Sequence, residues 1–208
     1  SFDHVLGYLS RDKVNPKVDG LLPPDDPNHQ KQFNRFRDRN FFPQKANKDD
    51  PRRPDPTTAK ATAWPSFRLP GPGHDTDDIR RQIEPDSETL IPMGGFVANF
   101  ARRLGVDGPA AFSAENLRLV MDYFGADQLP VYAELAREFG ICDGWYTSHA
   151  GPTLPNRFVL LTGDLNRDPL GDVEENNPDF KTLIPIQTPT VFDHLNEHGA
   201  SWRVFEHG

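Results

Sequence analysis

Residues 149–163, HAGPTLPNRFVLLTG, run from a polar turn into an apolar segment that ends at a glycine. Pro155 suits a first helical turn, because proline presets φ and that turn does not use its missing N–H. The pattern predicts a helix from about Pro155, with the hydroxyl of Thr153 at or just before its start. Free amides and the helix dipole favour anions there, phosphate above all. Thr153 is therefore a candidate phosphoryl-transfer nucleophile, and the alternative is that it is only an N-cap.

Other helices follow from apolar periodicity and from residues typical of helix ends. They are predicted from Ser1 to Leu9, from Asp75 or Thr76 to Ile83, from Phe96 to Leu104 before Gly105, from Glu115 to Phe124 after Ser113, from Val131 to Phe139 after Pro130, and from Val191 to His198 after Thr190. Short apolar runs predict strands at 141–143 and 201–205. Alternating strands and helices predict an α/β fold with a mainly parallel sheet flanked by helices.

Residues 11–72 have a different composition, since eleven prolines are mixed there with charged residues. Proline at this density interrupts both helices and sheet ladders, so we expect a long surface excursion with little regular structure. Its aromatic residues are expected to anchor it by packing, with lipid contact as the alternative; they are Phe33, Phe36, Phe41, Phe42, Trp64 and Phe67.

Composition excludes several classes of protein. The 208 residues suffice for one domain, and a net charge of −8 argues against a general nucleic-acid binder, which needs basic patches. The single cysteine, Cys142, cannot form an intrachain disulfide. No apolar run approaches the roughly 20 residues of a membrane-spanning helix, and Ser1 does not open a signal peptide.

Three segments resemble one known family. GPTLPNR at 151–157 resembles the GPTxPNR segment of the phosphoesterase family of bacterial and plant phospholipases C and acid phosphatases. SFDHVLGYL at 1–9 resembles the end of its ENRSFDH motif, and TVFDHLNEHGASWRVF at 190–205 resembles its helix-then-strand unit. The resemblance implies an alkaline-phosphatase-like fold, incomplete at both ends. Residues 1–208 would be the N-terminal part of one catalytic domain, with the 11–72 excursion as an appendage.

The resemblance also implies a site. Thr153 matches the nucleophile, which would attack phosphorus and form a phosphothreonine, and it would also be a metal ligand. A divalent metal ion of unknown identity is implied, because a threonine hydroxyl needs a cation to become an alkoxide. The family's other ligands are a Glu-Asn pair before Arg-Ser-Phe-Asp and acidic residues in a later His-Asp-Glu motif, and neither lies in this sequence. The remainder of the same protein is therefore an expected partner on both sides of the chain.

Two histidines are further candidates. His74 matches a family histidine that precedes a helix, and it is predicted as a catalytic residue that binds a phosphoryl oxygen or protonates the leaving group. The alternative is a loop histidine that caps that helix. His149 is close to Thr153 in sequence, but the resemblance does not require it, and we expect it to support the site or to be exposed.

Polar residues of the two motifs complete the candidates. Asn156 is predicted to bind substrate through its amide. Arg157 is predicted to brace the turn by pairing with a carboxylate such as Asp143 or Asp164, and the alternative is that it binds phosphate bidentately. Asp3 and His4 are expected to shape the loop of the first motif without a catalytic role.

The predicted function is metal-dependent hydrolysis of phosphate esters. Phospholipase C-type cleavage of a phosphodiester is the first prediction, with a phospholipid as the possible substrate, and acid phosphatase activity is the alternative. A non-catalytic binding module that kept the fold is a third possibility. The resemblance implies a secreted or periplasmic protein, without a nucleic-acid partner or a transmembrane segment.

Overall fold

The structure is a computed structural model that describes residues 2–47, 72–85, 92–105, 114–168, 170–177, 186 and 188–205. The chain divides into two units. The first comprises Ser1–Gly73 and Arg81–Trp145, and the second comprises His74–Arg80 and Tyr146–Gly208. Among the described residues no helix has the length and apolar character needed to cross a bilayer.

Helices and short strands alternate along the described residues. The helices are α1 (Phe2–Val5), α2 (Tyr8–Arg11), α3 (Thr76–Ile83), α4 (Phe96–Arg103), α5 (Ala114–Arg118), α6 (Pro130–Glu138), α7 (Thr153–Thr162) and α8 (Val191–Glu197). The strands are β1 (Asn34–Phe36), β2 (Arg39–Phe41), β3 (Gln44–Lys45) and β4 (Asp122–Tyr123), and 3₁₀ turns occupy His29–Lys31 and Leu119–Met121. The mixture of helices and strands confirms the predicted α/β character.

Local end signals account for the helices that the sequence predicts well. α8 begins with a capping box, in which the Thr190 side chain accepts from the Asp193 N–H and the Asp193 carboxylate accepts from the Thr190 N–H at 2.7 Å. α4 ends before Gly105, which has a φ of 73°. Such a left-handed conformation favours glycine and satisfies the last carbonyls of a helix.

The prediction for residues 115–124 was wrong in its second half. α5 ends at Arg118, and a 3₁₀ turn occupies Leu119–Met121. β4 then pairs in parallel with β3, with Gln44 opposite Asp122 and Lys45 opposite Tyr123. The Phe124 N–H donates to the carbonyl oxygen of His4 at 2.7 Å. The helical periodicity of the sequence does not determine the structure here. Asp122 and Tyr123 are buried, and they pair with β3, a distant segment of the chain.

The predicted mainly parallel sheet is not present in the described residues, which form two separate two-stranded sheets. One is the parallel pair β3 and β4, and the other is the antiparallel pair β1 and β2. Segments 141–143 and 201–205, predicted as strands, form no ladder in the described chain. A strand needs a neighbour for its backbone hydrogen bonds. Instead, Trp202 packs on Phe192 of α8 with ring centroids 4.5 Å apart.

The described part of the 11–72 segment does more than cover the surface. It supplies β1, β2 and β3, and Val18, Leu21 and Phe41 are buried. Proline removes a donor without preventing burial of the apolar residues between prolines, so the segment contributes to the core despite its composition. The predicted anchoring holds for Phe41, and Phe33 and Phe42 form a ring pair with centroids 5.5 Å apart. Trp64 and Phe67 lie outside the described residues.

Two clusters of buried apolar side chains stabilise the first unit. One joins α4 to β2 and to the α5 region, and its members are Phe41, Val97, Phe100, Ala101, Leu117 and Val120. The other joins α2 to β4 and to the 18–21 loop, and its members are Tyr8, Leu9, Val18, Leu21 and Tyr123.

The second unit is organised differently, around polar contacts. Its buried residues include Thr76, Pro155 and Asn166, whereas Leu160 on α7 is 71% exposed and Phe205 is 85% exposed. Several of its described hydrogen bonds lie around the start of α7.

Candidate active site

Thr153 is the first residue of α7, two positions earlier than the predicted helix start. Pro152 precedes it in an extended conformation, with φ of −74° and ψ of −175°. The Thr153 side chain is exposed, and its hydroxyl makes no hydrogen bond within the part of the chain that the structure describes. The hydroxyl is thus free to contact a ligand, and it is not the N-cap of its own helix.

The amides at the start of α7 are already partly used. Leu154 donates its N–H to Asn177 Oδ1 at 2.9 Å, and Pro155 has no N–H to offer. An anion at this helix start must displace Asn177 from Leu154 or bind beside Thr153. Fewer free amides are therefore available to an anion at this helix start than the sequence pattern suggests.

Asn156 braces the turn that precedes Thr153. Its Oδ1 accepts from the His149 N–H at 3.1 Å, and its Nδ2 lies 3.0 Å, 3.2 Å and 3.0 Å from the carbonyl oxygens of His149, Gly151 and Pro152. All its polar atoms are engaged with the backbone of residues 149–152. In this arrangement Asn156 fixes the turn, and the predicted contact with substrate stays a prediction.

Arg157 does not make the predicted brace. It is exposed and forms no ion pair with any residue of the described ranges. Asp143 instead accepts a hydrogen bond from the Asp19 N–H at 2.9 Å, and the Asp164 carboxylate accepts from the Leu165 N–H at 2.8 Å. The turn is braced from within by Asn156, so a charged partner for Arg157 is not needed.

A hydrogen-bond cluster joins the segment of His74 to the turn before Thr153. Thr76 donates its hydroxyl to the Glu175 carbonyl oxygen at 2.5 Å, and His149 Nε2 lies 3.0 Å from the same oxygen. His149 Nε2 is also 3.2 Å from Thr76 Oγ1. His74 itself is exposed, two residues before Thr76. The structure thus brings the two predicted catalytic segments into one unit.

Asp3 and His4 lie in the first unit, in α1. His4 donates its Nε2–H to the Val120 carbonyl oxygen at 2.9 Å. Burial lowers the pKa of His4, despite the opposing effect of this hydrogen bond, and burial raises the pKa of Asp3. The His4 side chain therefore connects α1 to the 3₁₀ turn that contains Val120.

Metal ligands are scarce in the described residues. Within those ranges no three or more His, Cys, Asp or Glu side chains gather in a way that could hold a metal ion. The Thr153 hydroxyl is a single candidate oxygen ligand, and one neutral oxygen does not bind a divalent cation firmly. The described residues therefore do not form a metal site by themselves.

Sequence reasoning missed three residues of this site. The sequence indicates Thr76 only as a possible start of a helix, and it singles out neither Asn176 nor Asn177. Asn176 Oδ1 accepts from the Thr76 N–H at 2.8 Å, so the adjacent asparagines cap α3 and α7 respectively. Consecutive asparagines in a loop are typical of helix caps, but the sequence does not say which helices they cap.

The structure thus places an exposed hydroxyl at the first residue of α7, directly after a turn that Asn156 braces. The model of the Phosphoesterase family matches residues 1–208, and the chain belongs to this family.

Similar proteins include phospholipases C of plants and bacteria. The chain is 30% identical over 209 residues to non-specific phospholipase C6 of Arabidopsis thaliana, with 99% of the chain and 32% of that protein covered. It is 30% identical over 214 residues to non-specific phospholipase C1 of the same plant, with 99% and 32% covered. A shorter match, 32% identical over 91 residues, covers 42% of the chain and 17% of phospholipase C A of Mycobacterium tuberculosis. The chain thus spans about a third of the length of its plant relatives.

Proposed function

We propose that the whole protein containing this chain hydrolyses phosphate esters with Thr153 as the nucleophile. The observation that carries the proposal is the exposed Thr153 hydroxyl, without a hydrogen-bond partner among the described residues, at the start of α7. Membership of the Phosphoesterase family supports it, as do relatives named phospholipase C.

The proposed chemistry proceeds in two displacements. Thr153 Oγ1 gives up its proton to solvent and attacks phosphorus in line, so an Oγ1–P bond forms while the P–O bond to the leaving alcohol breaks. The leaving oxygen takes up a proton, and we assign its donation to His74. Water then cleaves the phosphothreonine and restores the hydroxyl. Asn156 keeps the 149–152 turn fixed during both steps, and contact of its amide with the substrate is part of the proposal.

The proposed substrate is a phospholipid, cleaved at the phosphodiester bond on the diacylglycerol side. The names of the similar plant and mycobacterial proteins favour this class over a phosphomonoester. Acid phosphatase activity is the alternative outcome.

A divalent metal ion is part of the proposed function. When bound, it would lower the pKa of the threonine hydroxyl and neutralise charge on the phosphoryl oxygens. Thr153 Oγ1 is the ligand that this chain would supply, and we propose that the others lie outside the described residues. The alkaline-phosphatase-like sheet, a single catalytic domain that includes residues 1–208, and a secreted or periplasmic location complete the proposal.

Substitution of Thr153 tests the nucleophile. Thr153→Ala in the whole protein is expected to lower kcat by at least about 10³-fold, because it removes the hydroxyl proposed to take the phosphoryl group, while Thr153→Ser keeps part of the activity. Release of the leaving alcohol is the measurement.

Thr162→Ala is the matched control for that test. Thr162 lies in the last turn of the same helix, where its hydroxyl donates to the Phe158 carbonyl oxygen at 2.8 Å. Its loss should leave kcat nearly unchanged. Equal turnover by wild type and Thr153→Ala would refute the nucleophile assignment.

Parallel assays separate the two substrate classes. The whole protein is incubated with phosphatidylcholine vesicles and, separately, with para-nitrophenyl phosphate. Higher kcat/KM on the phospholipid supports the diesterase proposal, whereas higher kcat/KM on the monoester favours the acid phosphatase alternative. Activity on neither substrate, from a folded and metal-loaded protein, favours the non-catalytic module.

A further inference from the structure

His149, Thr76 and the Glu175 carbonyl form a contact that the family resemblance does not require. The carbonyl oxygen of Glu175 accepts from Thr76 Oγ1 at 2.5 Å and from His149 Nε2 at 3.0 Å. A carbonyl only accepts, so His149 Nε2 must carry a proton. The ring is thereby held in one orientation, with a donor directed at a fixed acceptor. We call this set of three residues the His149 clasp.

The backbone of Gly151 lies directly against the clasp. A Cβ built on Gly151 would be 2.3 Å from His149 Nε2 and 2.8 Å from Thr76 Oγ1. No real Cβ approaches other atoms so closely, so the imidazole and the hydroxyl pack on the bare backbone of the turn. Gly151 is two residues before Thr153. The position of the ring therefore limits where this turn can run.

The clasp and two caps connect the same three segments. At the start of α3, the Thr76 N–H donates to Asn176 Oδ1 at 2.8 Å. At the start of α7, the Leu154 N–H donates to Asn177 Oδ1 at 2.9 Å. Thr76 is 2% exposed, so its bonds do not compete with bulk water. Residues 175–177 thus hold the starts of both helices, and the imidazole of His149 joins them to the turn.

We propose that His149 is a positioning residue for Thr153, acting through the clasp with Thr76 and the backbone of Gly151. This inference rests on the proposed function of Thr153. The imidazole holds the 149–152 turn at the distance from α3 that directs Thr153 Oγ1 toward phosphorus. Misplacement of a reacting group by about 1 Å can cost on the order of 10²-fold in rate. The ring itself does not touch the reacting atoms.

The test uses paired substitutions in the whole protein. His149→Leu removes the donor and keeps an apolar group of similar size, and Thr76→Val removes the hydroxyl at nearly constant shape. Each is expected to lower kcat by about 10- to 100-fold with KM changed less than about 3-fold, because substrate binding does not depend on the aim of the hydroxyl. The double variant is expected to be no worse than the more damaging single variant, since both break one contact.

Conservative variants distinguish positioning from general support of the fold. His149→Gln can place an N–H near the former Nε2 position, and Thr76→Ser keeps the hydroxyl, so each should recover most of kcat. His198→Leu changes an exposed histidine of the same unit and should leave kcat unaltered. Circular dichroism of every variant accompanies the assays.

Four outcomes would overturn the proposal. Wild-type kcat in His149→Leu, with Thr153→Ala inactive, removes the positioning role and leaves the nucleophile in place. A rise in KM at constant kcat shows that the side chains act on substrate binding. Additive losses of kcat in the double variant show that His149 and Thr76 act separately. Full activity of Thr153→Ala refutes the proposed function, and the positioning role falls with it.

Discussion

At the scale of single residues, the motif around Thr153 divides into a free hydroxyl and a fully engaged amide. Thr153 Oγ1 has no described partner, whereas Asn156 satisfies both ends of its carboxamide inside the preceding turn. The sequence could place Thr153 near a helix start, because proline and a following apolar run locate one, but it left open whether the hydroxyl caps that helix. It could not predict the engagement of Asn156, because the partners of a side-chain amide depend on how the turn folds.

Asn156→Asp tests the bracing role. Aspartate keeps the acceptor for the His149 N–H but loses the donors, and its charge would face three carbonyl oxygens. We expect the free energy of local opening of residues 149–157 to fall by about 1–3 kcal/mol, the cost of buried polar groups left unsatisfied. Hydrogen exchange of the amides in this segment is the measurement.

Asn196→Asp provides the matched control. Asn196 Oδ1 accepts a hydrogen bond from Trp202 Nε1 at 3.0 Å, and an aspartate at this position retains that acceptor. Exchange in the second unit should change little. Equal protection of residues 149–157 in wild type and Asn156→Asp would show that Asn156 is not the brace.

At the scale of elements, helices were predicted far better than strands. α3, α4, α6 and α8 lie within one or two residues of their predicted ends, because caps, proline and glycine act locally. The strands at 122–123 and 34–41 were missed, and those expected at 141–143 and 201–205 did not form. Strand formation depends on a partner elsewhere in the chain, and no local pattern reports that partner.

The packing of α1 on β4 predicts a pH dependence of stability. Burial lowers the pKa of His4, so as pH falls below about 6.5 the unfolded chain binds a proton before the folded one does. The free energy of unfolding should therefore decrease as the pH falls from about 6.5 to the lower pKa of the folded state. Above about pH 6.5 this contribution of His4 to stability is fully present. Urea unfolding at a series of pH values measures this.

His4→Gln is the control for the pH series. Glutamine can donate to the Val120 carbonyl oxygen but does not titrate, so the decrease should disappear. Asp3 acts in the opposite direction at lower pH, because its raised pKa stabilises the folded state as pH falls toward 3.8. Identical pH profiles for wild type and His4→Gln would contradict the role of His4.

At the scale of the whole molecule, the buried apolar clusters and the candidate catalytic residues lie in different units. Both buried apolar clusters belong to the first unit, whereas Thr153, His74 and the His149 clasp belong to the second. The chain covers about a third of each plant relative. The sequence predicted the family and the α/β mixture correctly. It could not predict the two-unit arrangement, because that depends on contacts between distant segments.

Metal removal is a prediction for the whole protein. Dialysis against a chelator should abolish hydrolysis, and a divalent cation should restore it, since the threonine hydroxyl is a weak nucleophile at neutral pH. Thr153→Ala should also lower metal affinity, because it removes one ligand, and this is measured by calorimetry without substrate. Activity that survives exhaustive chelation, with no metal left in the protein, would contradict the metal requirement.

The crowding at Gly151 has a consequence for how related sequences can differ. The His149 imidazole, the Thr76 hydroxyl and the Gly151 backbone are packed closely together. The residues at positions 76, 149 and 151 should therefore covary during evolution. A lineage that acquires a side chain at 151 must first shrink or redirect the residue at 149. Homologues should therefore carry compatible triplets at these positions, and intermediates that change 151 alone should be rare.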